Sequence, residues 1–137
     1  MCVFCDIVNN KAKSYKIYEN NKTLAFLDIH PISYGHILVI PKNHYENIYE
    51  MDNDILTEII KTVKMITVLL KENLGINAVN IINSNGKIAN QTVFHYHVHV
   101  IPRREDDNLD FIHEWWVNKF IKTDHDILNE IMNRLKN

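Results

Sequence analysis

The chain is poor in the residues that break or bend a polypeptide: its 137 residues hold three glycines and three prolines. No Ser- or Pro-rich stretch, long charge block or internal repeat occurs, so neither a linker nor a low-complexity segment divides it. Long apolar runs are missing too, which excludes a membrane-spanning helix. Charge of one sign is not in excess. Fifteen Lys and Arg stand against seventeen Asp and Glu, a formal charge of -2, so the basic footprint of a nucleic-acid binder is absent. The opening MCVFCDIVNN has no basic stretch followed by a long apolar one and does not read as a signal peptide, so a cytoplasmic location with reduced thiols is expected. What is present, 46% apolar and 23% charged residues, is the make-up of a globular protein. The length suits one domain able to bury roughly 70% of its unfolded surface.

The segments KIYEN, TLAFLDI and HILVIP, between Tyr15 and Pro41, are short, rich in branched or aromatic residues and separated by turn formers, and read as three strands. Asp52 then stands where a helix cap belongs. Ile55, Leu56, Ile59, Ile60, Val63, Ile66, Leu70 and Leu74 follow at helical spacing, and Gly75 stops the run. NAVNII and VFHYHVHVIP read as two further strands around the polar loop NSNGKIANQ, and Asp124 is placed to cap a terminal helix carrying Ile127, Leu128, Ile131 and Leu135. Strands that come in runs rather than alternating with helices give an α+β class: an antiparallel five-stranded sheet packed by one long helix. The expected domain covers 1–137, with a core of about 2–104 and a C-terminal extension, 105–137, in which Trp115 and Trp116 read as core while His113 and His125 read as solvated.

In FHYHVHVIP the residues His95, His97 and His99 recur at period two, so an extended strand projects all three imidazoles from one face, about 6.8 Å apart. Tyr96, Val98 and Val100 take the other face. A row of side chains that titrate near neutrality points to metal ligation, nucleophilic catalysis or proton transfer. In the metal reading, His-x-His supplies ligands to a catalytic zinc, although no carboxylate lies nearby before Glu105. In the phosphate reading, the Asn-, Ser-, Gly-, Gln- and Thr-rich loop from Asn83 to Thr92 offers donors to phosphate oxygens and leads directly into the histidines.

His95-Tyr96-His97-Val98-His99-Val100-Ile101 resembles the signature of the histidine triad (HIT) family of nucleotide hydrolases and transferases. GHILVIPKNH, FLDIHP and Gln91-Thr92-Val93 resemble family segments in the same order, and the likeness covers about Cys2 to Arg103. The resemblance implies attack by His97 on the α-phosphate of a purine nucleotide conjugate, giving a covalent nucleotidyl intermediate that water hydrolyses. It places His99 toward the leaving group and His36 as the family's fourth histidine. It implies a base pocket of Phe4, Ile7, Phe26, Leu27 and Ile29, with Asp28 on the ribose and Asn83, Gln91 and Thr92 toward the phosphate. Ser84 departs from one branch, which carries glutamine there. Implied substrates are nucleoside phosphoramidates, adenylated amines or dinucleoside polyphosphates. A catalytic zinc enzyme, or a nucleotide-binding regulator without important turnover, stays open as an alternative.

Both cysteines lie in Cys2-Val3-Phe4-Cys5, a spacing that makes half of a tetrahedral zinc site. The resemblance, here to the zinc-containing bacterial-type branch, completes it with His44 and His95 as a structural zinc site. It also implies a homodimer with paired sheets, for which the long helix is the candidate interface.

Overall fold

The computed structural model describes residues 1–110 and 121–136, so Trp115, Trp116 and His113 lie outside the described residues. The chain divides into two compact units, Met1–Asp107 and Asn108–Asn137. The first contains α1 (Val3–Val8), β1 (Lys16–Glu19), β2 (Thr23–Leu27), β3 (Ile37–Pro41), α2 (Asn53–Leu74), β4 (Ala78–Ile82) and β5 (Val98–Arg103). The second contains α3 (His125–Lys136), where the Ile127 N–H donates to the Asp124 carboxylate at 2.9 Å, so Asp124 caps the helix as expected.

The five strands form one sheet in the order β1-β2-β3-β5-β4, with every neighbouring pair antiparallel. The α+β class read from the sequence is the observed one. Both faces of the sheet are covered, and the period-two alternation decides which residue goes where. Ala25, Ile37, Val39, Val98 and Val100 pack with Ile59, Val63, Ile66 and Leu70 of α2. Leu24, Phe26, Leu38 and Ile40 point the other way and pack with Phe4 and Ile7 of α1. Helix α1 is not among the expected elements. Its only sequence sign is the i, i+3 spacing of Phe4 and Ile7.

Along α2 the apolar stripe is narrower than expected, since Ile60 and Leu74 are exposed. The buried Thr62 takes a place on the packed face, where its hydroxyl shares a 2.8 Å hydrogen bond with that of Thr23. Gly75 ends the helix in the left-handed conformation at φ 67°. Asp52 occupies the N-cap position, where its carbonyl accepts the Leu56 N–H at 3.0 Å, but its carboxylate makes no cap bond and instead accepts the Tyr45 hydroxyl at 3.1 Å.

The histidine strand needs a correction. The ladder expected from Val93 begins only at Val98. Val98 pairs with Val39, and two residues farther along β3 stands Pro41, which has no N–H to give a ladder. Side chains and loop backbone replace the missing bonds. The Tyr96 N–H donates to the Tyr45 carbonyl at 2.6 Å, His95 Nε2 donates to the Pro41 carbonyl at 2.8 Å, and Asn83 Nδ2 donates to the His97 carbonyl at 2.9 Å. Alternation survives this: Tyr96, Val98 and Val100 lie in the α2 core, while His97 and His99 line a cleft on the α1 side.

Candidate active site

A cleft of about 420 Å³ opens between α1 and the β2–β3 face of the sheet, within the range that small-molecule sites occupy. Phe4, Ile7, Phe26, Leu27, Asp28, Ile29 and Thr92 line it together with His97 and His99. Most of the lining is apolar. Phe4 and Phe26 meet edge to face at 5.6 Å. Val3, Lys13, Ser14, His30, Leu38 and Val93 complete the wall, and sequence reasoning missed all six. Ser14 Oγ is the one buried side-chain polar atom without a hydrogen-bond partner among the described residues.

Hydrogen bonds define the state of each imidazole. His97 Nδ1 lies 2.7 Å from the His95 carbonyl, which can only accept, so the neutral ring holds its proton on Nδ1 and keeps a lone pair on Nε2. His36 Nδ1 accepts the Ile32 N–H at 3.3 Å, which leaves the His36 proton on Nε2. That proton faces His99 Nδ1 at 2.9 Å, so His99 is driven to carry its own proton on Nε2. Adjacent rings are thus set in opposite senses: His97 offers a lone pair and His99 a proton. Asp28 Oδ2 stands 3.6 Å from His36 Nε2, and its Oδ1 accepts the His30 N–H at 2.9 Å, closing the turn that leads out of β2.

Burial favours the neutral rings. It holds His99 down at about 4, with the facing His97 and His36 acting in the same direction and Asp28 opposing. It lowers His97 against the His95 carbonyl and Asp28, and lowers His36 against Asp28. His95, fully buried, is pushed down to about 4, chiefly by desolvation.

Two expected phosphate contacts sit elsewhere. Asn83 does not line the cleft; it braces the His97 carbonyl. Gln91 is buried, accepts the Gly86 N–H at 2.7 Å and donates to the Glu46 and Val93 carbonyls at 2.6 and 3.1 Å, so its amide is committed to holding the loop.

On the far side of Phe4, Cys2, Cys5, His44 and His95 bring one ligand atom each to within 4.8 Å of one another. Individual separations are 3.4 Å for Cys2 Sγ to His95 Nδ1, 3.4 Å for Cys5 Sγ to His44 Nδ1, 3.5 Å for Cys5 Sγ to His95 Nδ1, and 3.3 Å between the two Nδ1 atoms. Tetrahedral zinc with S and N ligands has edges of about 3.5 Å. Because His95 Nε2 donates to the Pro41 carbonyl, its Nδ1 presents a lone pair to the cluster, the arrangement expected of a metal-ligating histidine. Burial, followed by the Cys2 hydrogen bond and charge, pushes the Cys5 thiol up to about 11, so Cys5 needs a cation to lose its proton near neutrality. These four residues fit a zinc ion.

A family model described as the HIT domain matches residues 9–106. The chain belongs to the HIT family. A HIT-like protein of Methanocaldococcus jannaschii is 43% identical over 136 residues, covering 99% of each chain. An adenosine 5′-monophosphoramidase of Candida albicans is 38% identical over 112 residues, 77% of this chain and 72% of its own. Among solved HIT structures, a zinc-bound histidine triad protein from Mycobacterium smegmatis superimposes with a TM-score of 0.77 at 40% identity, covering 80% of each chain. The HIT resemblance read from the histidine row is therefore borne out.

Proposed function

We propose that this HIT protein hydrolyses the bond between the α-phosphate of a purine nucleotide and its leaving group, in phosphoramidates, adenylated amines or dinucleoside polyphosphates. The observation that carries the reading is the His97 ring, whose Nδ1–H is tied to the His95 carbonyl so that the Nε2 lone pair is free in a ring lining the apolar cleft. Phe4, Ile7, Phe26, Leu27 and Ile29 receive the base, Asp28 the ribose, and Thr92 the phosphate. His97 Nε2 attacks phosphorus as the bond to the leaving group breaks. The departing group takes its proton from His99 Nε2, which the His36 chain has set as a donor. Water then attacks phosphorus and gives one proton back to His99 Nε2 as the P–N bond breaks, so the nucleoside monophosphate leaves and both rings return to their neutral starting forms. Asn83 and Gln91 act through the His97 carbonyl and the loop. The activity named for the Candida albicans relative supports this substrate class.

Cys2, Cys5, His44 and His95 would hold a structural zinc, which supplies a closed four-ligand crosslink when bound. Use of the whole triad as ligands of a catalytic zinc is disfavoured, because His95 belongs to one potential cation cluster, His99 to another with Asp28 and His36, and His97 to neither. Rapid quenching of adenosine phosphoramidate with excess enzyme, followed by intact-mass analysis, tests the reading. An adenylyl adduct on His97, and its loss together with turnover in His97→Ala, is expected. Binding without turnover would make the protein a regulator, and an adduct on another residue would displace His97.

A further inference from the structure

The cysteine–histidine cluster and the nucleophile share two physical links. Phe4 lies between Cys2 and Cys5 on α1, and its ring meets His97 edge-on with centroids 5.2 Å apart and planes at 83°. The same ring meets His95 at 5.8 Å and 74°, and forms part of the cleft wall. The second link is the His95 carbonyl, which takes the His97 Nδ1–H at 2.7 Å. His95 is itself held at both ring nitrogens, by the Pro41 carbonyl at Nε2 and by the cluster at Nδ1. Six residues are too few for α1 to persist as an independent helix, and it buries only Phe4 and Ile7. What fixes the cluster therefore fixes both links.

We propose that the Cys2–Cys5–His44–His95 cluster, filled with a divalent metal ion, orients the His97 imidazole and the base wall, with Phe4 and His95 as positioning residues for the reaction. The consequence for catalysis rests on the nucleotidyl-histidine reading above; the coupling itself does not. If the cluster served only to hold the N-terminal segment, its loss would lower stability without changing the proton position on His97. If it positions the ring, its loss frees the His95 carbonyl and the Phe4 edge together, and the His97 proton is shared between both nitrogens.

The test compares the full-length zinc-loaded protein with the same protein stripped by a chelator until elemental analysis finds no metal. Nitrogen-15 spectra of the His97 ring and AMP affinity by calorimetry are recorded on each, with circular dichroism as the control for folding. Neither readout requires turnover, so a protein that proves unable to hydrolyse nucleotides would defeat the proposed function and leave this comparison valid. Expected results are a single Nδ1–H tautomer in the loaded protein, averaged ring signals and AMP binding weaker by about five- to tenfold after stripping, and recovery of both when zinc returns. A stripped, folded protein with unchanged His97 signals and unchanged AMP affinity overturns the proposal. Should the stripped chain unfold, zinc-loaded Phe4→Leu decides, since leucine keeps the apolar wall and removes the ring edge: averaged His97 ring nitrogen signals support the coupling, and a retained single Nδ1–H tautomer overturns it.

Discussion

His99 shows how much of this site lies in bonds rather than in residue types. In an unfolded chain a histidine titrates near ~6.5, whereas burial, with His97 and His36 facing the ring and only Asp28 opposing, holds His99 at about 4. Between these values the unfolded chain binds the proton more tightly than the fold does. Stability is therefore full above about pH 6.5 and is lost as the pH falls toward 4. Urea midpoints are expected to decline through that window and to decline less steeply in His99→Gln; equal slopes in the two proteins would refute the assignment. The period-two row of histidines was legible in the sequence because spacing alone encodes it. Their proton positions were not, because His36 reaches His99 across 63 residues and Gln91 reaches the Glu46 carbonyl across 45, and no local pattern announces either contact.

Among the elements, α2 and the strands β1 to β4 stand where the sequence placed them, whereas α1 and the start of β5 do not. Helix α2 begins one residue after the expected Asp52 and ends at the expected Leu74, because its apolar repeat is sustained and Gly75 can adopt the left-handed stop. Helix α1 escaped notice since two apolar anchors do not make a period. The late start of β5 was hidden for a different reason: the proline responsible sits on the neighbouring strand. Gly35, just before His36, is the sharpest case of an element end fixed by backbone conformation. It has φ +89°, and an added Cβ would meet Leu70, Leu74 and Pro102 at 3.4 Å. Gly35→Ala is expected to cost about 1–2 kcal/mol from the backbone conformation alone, read as a lowered denaturation midpoint. A midpoint equal to that of the parent would show that the turn relaxes without strain.

For the whole molecule the question is what happens at the sheet's open ends. Strand β4 is terminal in the order, and Ile81 on it is half exposed. An edge with no further partner strand among the described residues invites a second strand. Pairing with a second copy would satisfy it, as the HIT resemblance implies, and α2 carries the exposed Ile60 and Val68 that a two-fold interface could use. Light scattering at micromolar concentration is expected to return twice the chain mass of 16.2 kDa, and Ile81→Lys is expected to reduce it. A single-chain mass for the parent would contradict the dimer. Among the described residues, no helix is long and apolar enough to cross a membrane.

Cys2 and Cys5 stand 93 and 90 residues before His95, so the four-residue cluster is assembled from the two extremes of the folded core. On a ribosome moving at about 5–20 residues per second, both thiols emerge several seconds before their last imidazole partner exists. A growing chain therefore has no complete ligand set, and closing so long a loop must wait for the strands between. Capture of the ion becomes a late event that marks a finished sheet, and a chain truncated before the histidine row would leave its thiols exposed to oxidation.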